Sequence, residues 1–415
     1  MKLKLSSSAL SVTIIGVLFF IFGFITWLNG ILIPYLKISC QLSYSQSFLV
    51  TFAFYISYFI MALPSGWVLK KTGFKKGISL GLMIMAVGAL GFLPAAYTRS
   101  YFMFLTSLFI VGSGLALLQT ASNPYVTILG PIESAAKRIS IMGVANKLAG
   151  AIAPLIFAAI LFNNIDEVVK SLEGIDATAA SSILDDLSRR VMLPYLVIAI
   201  VLGLLSFLVL RSPLPEIKAD SKEETSLTQD RKYLIQYPQL VFGVLALFLY
   251  VGAEVIAGDT IIQYALDSGY PIQKAKMFTS ITLVLMMVGY FIGIGTIPRY
   301  LSQEKALMIS ALLGISFTIA ILFTPINISV YFVALLGLAN ALVWPAIWPI
   351  ALKGLGRHTS MASSLLIMAI AGGAILPLLY GTIADSFDST KAYAILLFCY
   401  VFILFFSILF SQRKG

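Results

Sequence analysis

Charge is what this sequence has least of: 11% of its 415 residues are Asp, Glu, Lys or Arg, against roughly 25% in soluble domains. Hydrophobic residues make up 59%, and an ordinary water-soluble globule of that composition would expose more apolar surface than water tolerates. Cysteine is nearly absent as well. Cys40 and Cys399 stand far apart in the chain, which excludes a disulfide framework and a cysteine metal site. The lone histidine, His358, sits beside Arg357 at the edge of an apolar run and reads as a surface residue. No nucleophile–base spacing appears, and no Gly-rich loop ends in Gly-Lys-Ser/Thr. Neither an enzyme nor a nucleotide-driven pump is therefore indicated, and no cofactor or metal is expected.

What the chain has in abundance is uncharged apolar sequence. Residues 5–36, 193–210 and 392–409 carry no charge and reach or exceed the roughly 17–25 residues that cross a bilayer as a helix. Lipid offers the backbone no hydrogen bonds, so such runs are helical. Breaks between runs place spans near 11–36, 44–69, 77–97, 101–128, 138–163 and 191–210, then near 239–266, 275–297, 305–324, 327–352, 359–384 and 391–411. The fold expected is an all-α integral membrane protein of twelve transmembrane helices. The N-terminus, with Lys2 and Lys4, reads as a short tail ahead of a first span; the apolar stretch after it is too long for a cleaved leader.

The net charge of +10 does not imply nucleic acid, because the basic residues lie in short loops between spans. Nineteen lysines and arginines fall on the side of the two termini and eight on the other, with Lys147 alone inside a span. That excess places both termini in the cytoplasm, and the acidic loop at 166–186 outside. The most polar stretch, RSPLPEIKADSKEETSLTQDRK, separates six spans from six. The chain thus divides into a bundle over 1–210, a cytoplasmic linker over 211–238 and a second bundle over 239–415. The loop Gly66-Trp-Val-Leu-Lys-Lys-Thr-Gly73 is weakly echoed after Gly295. Two pseudo-symmetric six-helix halves with a midplane site between them describe the major facilitator fold.

The loop at Gly66–Gly73 resembles the major facilitator signature, with Lys70 where an acid is usual. Two longer stretches, Phe22-Gly-Phe-Ile-Thr-Trp-Leu-Asn-Gly-Ile-Leu-Ile-Pro34 and Leu118-Gln-Thr-Ala-Ser-Asn-Pro-Tyr125, resemble the first and fourth spans of the fucose–galactose–glucose:proton symporters. Tyr250-Val-Gly-Ala-Glu-Val255 resembles the glucose/galactose branch of that family. The resemblance implies a sugar carrier working by alternating access. In the fucose branch the acids that carry the proton stand where this chain has Gly30 and Gln119, so the resemblance does not bring a proton route with it.

Candidate binding groups come from polar residues at membrane depth, each costing roughly 2.5–3.5 kcal/mol there if ionisable. Lys147 reads as a fixed cation, held by Glu254 or by sugar hydroxyls, or as a lysine snorkelling to the interface. Glu254 lies mid-span in the seventh helix and can accept hydroxyls, pair with Lys147, or bind a coupling ion. Asp259 follows five residues on, off that face, and with Gln263 makes an i,i+4 polar stripe; Gly252 and Gly258 bracket Glu254 and favour unwinding. In the fourth span Gln119 and Asn123 share a face, Asn146 adjoins Lys147, and Asn29 sits beside Gly30 and Pro34 at a kink. Asn340, Trp344 and Trp348 form one stripe on the tenth span. Amides match sugar hydroxyls and indoles stack on pyranose faces, although interhelical bonding and interfacial tryptophans explain the same residues without a ligand. Trp27 stands as a further aromatic.

The function these readings favour is secondary import of a hexose such as glucose, galactose or fucose, coupled to H+ or Na+. The alternatives are an uncoupled facilitator, or a carrier of another polar solute such as an amino sugar, a polyol, a chelate or a drug. The expected partners are a small sugar and membrane lipid, with no nucleic acid. The expected setting is a bacterial inner membrane, the protein acting as a monomer.

Overall fold

A computed structural model describes the backbone of residues 2–128, 135–172, 176–212, 236–297, 299–353, 355 and 359–411. His358, residues 213–235 of the expected linker, and the side chains of Lys70 and Asn123 lie outside the described residues. Among the described residues twelve helical stretches are long and apolar enough to cross a membrane: Thr13–Ser39, Leu49–Leu69, Phe74–Tyr97, Tyr101–Ser122, Met142–Leu161 and Thr178–Arg211, then Pro238–Asp259, Ile272–Thr296, Gln303–Phe323, Ile326–Leu352, Leu365–Ser386 and Ser389–Phe410. They are named here first to twelfth span. No strand occurs among the described residues. The stretch expected as an acidic loop is instead largely helical, over Ile165–Ser171 and Ala177–Arg189, the second piece opening on Asp176, whose side chain caps the Ala179 amide.

The spans pack in two groups. The third lies on the fourth and sixth, the second on the fourth, and the first on the fifth. In the other half the ninth lies on the tenth and twelfth, the eighth on the tenth, and the seventh on the tenth, eleventh and twelfth. The halves meet where the fifth span runs along the eighth and the second along the eleventh. Large apolar side chains such as Phe102, Leu193 and Phe323 remain exposed around the outside of the bundle. Lipid satisfies such a surface and water does not. In the signature loop, Thr72 ends the second span and Gly73 turns the chain at φ 78°, a conformation glycine adopts without penalty. Lys75 donates to the Ser212 carbonyl at 2.8 Å, tying that loop to the end of the sixth span.

Several spans are not continuous helices. The first stops at Thr26 and restarts at Asn29; the seventh stops at Asp259 and restarts at Ile261; the tenth stops at Asn340 and restarts at Val343. The eleventh passes through a short 3₁₀ turn over Ala369–Ala371. Breaks of this kind occur at membrane depth only where protein or a cavity satisfies the freed backbone groups. The breaks of the first, seventh and tenth spans fall beside the candidate site residues Asn29, Asp259 and Asn340.

At the face opposite the chain termini the halves are joined. Ser43 caps the short helix Tyr44–Ser47 in a reciprocal capping box with Gln46. The carboxylate of Asp385, at the end of the eleventh span, accepts the Tyr44 and Ser45 amides at 2.9 and 2.8 Å and also the Ser45 hydroxyl. Tyr101 donates to the Gln46 carbonyl beside it.

Candidate functional site

Trp27, at the break of the first span, is the hub of the centre. It belongs to one buried apolar cluster with Ala151 of the fifth span, Leu283 and Met286 of the eighth and Ala341 of the tenth. Two glycines make room for it. A Cβ at Gly150 or at Gly258 would come within 2.2 Å of the ring, so both positions require glycine for this close approach. The first span is thereby wedged between the fifth and the seventh.

Against that indole lies the ion pair. Lys147 donates to Oε1 of Glu254 at 2.7 Å, with side chains 10% and 13% exposed, and its ammonium sits 4.5 Å from the centre of the Trp27 ring. The residues come from opposite halves, 107 positions apart. A buried ammonium on an aromatic face with a carboxylate partner is well compensated. The pair is therefore a strong electrostatic feature that also cross-links the halves.

Asp259 has no such compensation. It ends the helical part of the seventh span, is fully buried, and neither carboxylate oxygen has a hydrogen-bond partner among the described residues. Gly30 faces it across the interface, where a Cβ would lie 3.4 Å from the Gly258 carbonyl and 3.5 Å from the Asp259 Cα. Thr279 of the eighth span donates to the Gly258 carbonyl at 2.8 Å, holding the backbone that the break frees. Buried polar atoms lacking a partner also include Trp27 Nε1, Asn29 Nδ2 and Asn340 Nδ2. Such atoms are rare in folded proteins; these stand at the breaks of the first, seventh and tenth spans, while Tyr44, Ser65 and Ser122 carry others elsewhere.

The remaining candidates divide. Gln119 donates to the Tyr58 hydroxyl at 3.0 Å and is half-buried. Asn146 donates to the Phe19 carbonyl at 3.3 Å, bonding the fifth span to the first. Asn340 is fully buried and its oxygen accepts from Tyr400 at 2.9 Å, leaving its NH2 group unpartnered. The expected stripe on the tenth span is interrupted at Ala341–Leu342, yet Trp344 and Trp348 stack at 5.4 Å and 22°, with Tyr250 6.4 Å from Trp344. Thr260 separates the helix of Asp259 from that of Gln263, which donates to Asp267 one turn further on at 3.0 Å. Asn123 is helical in its backbone, its side chain lying outside the described residues.

Sequence reasoning missed Tyr58, Tyr400 and Thr279. Each is a common residue whose part is set by a partner on a distant span, and no local spacing marks it. Tyr250 did carry a signal, standing one turn ahead of Glu254 on the same face. Among the described residues no group of three or more His, Cys, Asp and Glu could hold a metal ion.

Interrupted helices meeting around a paired charge and unpaired polar groups, inside a twelve-span bundle that divides into two halves, define a polytopic membrane carrier. The chain belongs to the Major Facilitator Superfamily, whose profile matches residues 15–376. It is 37% identical over 409 residues to the glucose/galactose transporter of Brucella abortus, covering 97% of this chain and 94% of that one. It is 30% identical over 375 residues to the L-fucose-proton symporter of Escherichia coli, covering 89% and 85%. The crystal structure of the E. coli fucose:proton symporter in its outward conformation superposes with a TM-score of 0.74 at 29% identity, covering 98% of this chain and all of that one.

Proposed function

We propose that this protein imports a neutral hexose across a bacterial inner membrane by alternating access, driven by an H+ or Na+ gradient. The observation that carries the reading is the set of polar groups at the helix breaks, the Lys147–Glu254 pair, the unpartnered amides of Asn29 and Asn340 and the indole N–H of Trp27, in a bundle that also holds the Trp344–Trp348 stack beside Tyr250. Donors and acceptors beside aromatic faces are what a pyranose presents for recognition: hydroxyls on its rim and C–H groups on its faces. The likeness to relatives named for glucose, galactose and fucose supports the same substrate class.

Residues 1–210 and 239–415 act as the two moving bundles, joined by a cytoplasmic linker at 211–238, with both termini in the cytoplasm. The protein works as a monomer in lipid, and its coupling ion is its only expected inorganic partner. The Lys147–Glu254 pair and the Trp27 wedge hold the halves together at the centre, and the Asp385 contacts hold them at the rim. Sugar bound between the halves replaces part of that internal bonding when the site opens to one side.

Uptake of labelled glucose, galactose, fucose and N-acetylglucosamine into proteoliposomes, under either an H+ or an Na+ gradient, tests the reading. Concentrative uptake of a hexose under one gradient is expected. Exchange without accumulation would show a facilitator, accumulation of N-acetylglucosamine alone would move the substrate to amino sugars, and silence across the panel would overturn the hexose assignment.

A further inference from the structure

Within the membrane core the candidate site holds one cation, Lys147, and two acids, Glu254 and Asp259. The ammonium is spent on Glu254 at 2.7 Å, which leaves Asp259 one positive charge short. A carboxylate that is dry and unpaired is among the costliest states a protein can hold. The group beside it is not arranged to relieve that cost. The Thr260 hydroxyl donates to the Ile256 carbonyl at 2.7 Å and lies 2.8 Å from Tyr393, while the Thr279 hydroxyl donates to the Gly258 carbonyl. Gly30, opposite, contributes no side chain at all. A metal cation at Asp259 would need several oxygen ligands converging on it, and those two hydroxyls are turned elsewhere. A proton needs only the carboxylate.

We propose that Asp259 carries the coupling proton of this transporter, holding it as a neutral carboxylic acid while the site is closed and giving it up when the halves separate. The proposal rests on the sugar-symport reading and names the ion and the residue. Its mechanical basis is the contact between the breaks of the first and seventh spans. These belong to opposite halves and touch through Gly30, Gly258 and Asp259, so Asp259 is dry only while the two breaks are together. Rocking the halves apart admits water to the carboxylate. The ionised form becomes affordable, and the O–H bond breaks to release the proton to whichever side is open. The proton taken from the outer solution is the one delivered to the inner solution, and nothing is oxidised or reduced. Glu254, by contrast, is neutralised by a residue of the protein itself and needs no proton to be buried. The charged or titratable groups facing Asp259 are Glu254 on its own span, Lys147 on the fifth and Tyr55 on the second, and all three reach it from around the same centre.

The test is Asp259→Asn, an isostere of the protonated acid, in proteoliposomes. An imposed gradient of one pH unit supports up to about tenfold sugar accumulation at one proton per sugar. Wild type is expected to accumulate sugar and to alkalinise the medium when sugar is added. Asp259→Asn is expected to reduce accumulation to unity and abolish alkalinisation, while sugar exchange persists with its pH dependence flattened, which a merely misfolded variant would not show. Proton-driven accumulation by Asp259→Asn, or accumulation in wild type that follows Na+ alone, would overturn the assignment. If no sugar in the panel is carried, infrared spectroscopy still decides: a carboxylic-acid C=O band at neutral pH that Asp259→Asn removes upholds the proton site, and its absence from wild type sinks it independently of the substrate.

Discussion

The molecule closes its two halves on each other in two places, and the acids there are treated in opposite ways. At the rim, Asp385 is exposed and saturated, its two oxygens accepting backbone amides and a hydroxyl from across the interface. At the centre, Glu254 is paired with the Lys147 ammonium, and the Asp259 oxygens have no hydrogen-bond partner among the described residues. Water is available at the rim, so breaking the contact exchanges one set of hydrogen bonds for another at a net difference of about 1 kcal/mol. No such exchange is open to the dry centre, where removing one partner leaves the other uncompensated. The rim is thus built to open cheaply, whereas opening at the centre has to be driven by a ligand that replaces what is lost.

The largest effect that sharpens this contrast is expected from Lys147→Met. It strands Glu254 in a buried site, and breaking such a pair costs about 3–5 kcal/mol. A substantial fall in melting temperature in detergent, with loss of sugar uptake, is the expected result. Adding Glu254→Gln to it removes the stranded charge, so stability should return while uptake stays lost. A double variant that transports normally would show that the pair only braces the fold. Next in size is Gly150→Val. Its Cβ would meet Trp27 within 2.2 Å, and overpacking of a full core costs about 1–3 kcal/mol. The indole must move, so a shift in tryptophan emission should accompany reduced uptake, and unchanged emission would mean that the wedge yields elsewhere.

At the rim the expected change is smaller and of another kind. Asp385→Ala removes an acceptor from two helix-start amides, a loss comparable to that of a helix cap, about 1 kcal/mol. Fold stability should barely move. The balance between conformations should shift several-fold toward the form open on the rim side, since 1.4 kcal/mol is a factor of ten. Double electron–electron resonance between spin labels at the ends of the first and eleventh spans reads that balance directly, and an unaltered distance distribution would show that the Asp385 contacts do not latch the halves.

How much of this was legible in the chain depends on whether a residue's task is set locally. The spans were legible because lipid leaves a backbone only one way to satisfy itself, and the sugar-carrier reading followed from motifs that lie within single spans. The meeting of Lys147 with Glu254 was one of three readings open to it, since a lone intramembrane cation has few partners to choose from. The stripes were read as if each span were one unbroken helix. Asp259 with Gln263, and Asn340 with Trp344, share a face only on an unbroken helix, and the chain turns at Thr260 and at Ala341–Leu342. Gly252 and Gly258 signalled that the seventh span would be weak, but the break came just after Gly258, at the residue following Asp259. Tyr58 and Tyr400 gave no signal. They stand 61 and 60 residues from the amides they bind, and such pairings are made by packing alone.

The smallest effect lies beside the rim and depends on pH. Asp267 lies beyond the seventh span, at the end of the short helix Ile261–Asp267, and accepts from Gln263. Burial pushes its carboxyl up from the usual 3.8 to about 6, with Lys37 and Ser389 holding it back in part. A group whose folded value is raised stabilises the folded, closed arrangement fully below its unfolded value, and that contribution is lost as pH rises through the folded one. Closure at the rim should therefore weaken as pH climbs from about 4 through about 6, and Asp267→Asn should flatten that part of the profile. Because Asp267 is exposed, solvent screening keeps the change small. The same spin-label distances followed across that pH range measure it. A pH response that survives Asp267→Asn unchanged would assign it to another group, and the Asp259 variant, examined at the same pH values, would then show whether the centre rather than the rim is the source.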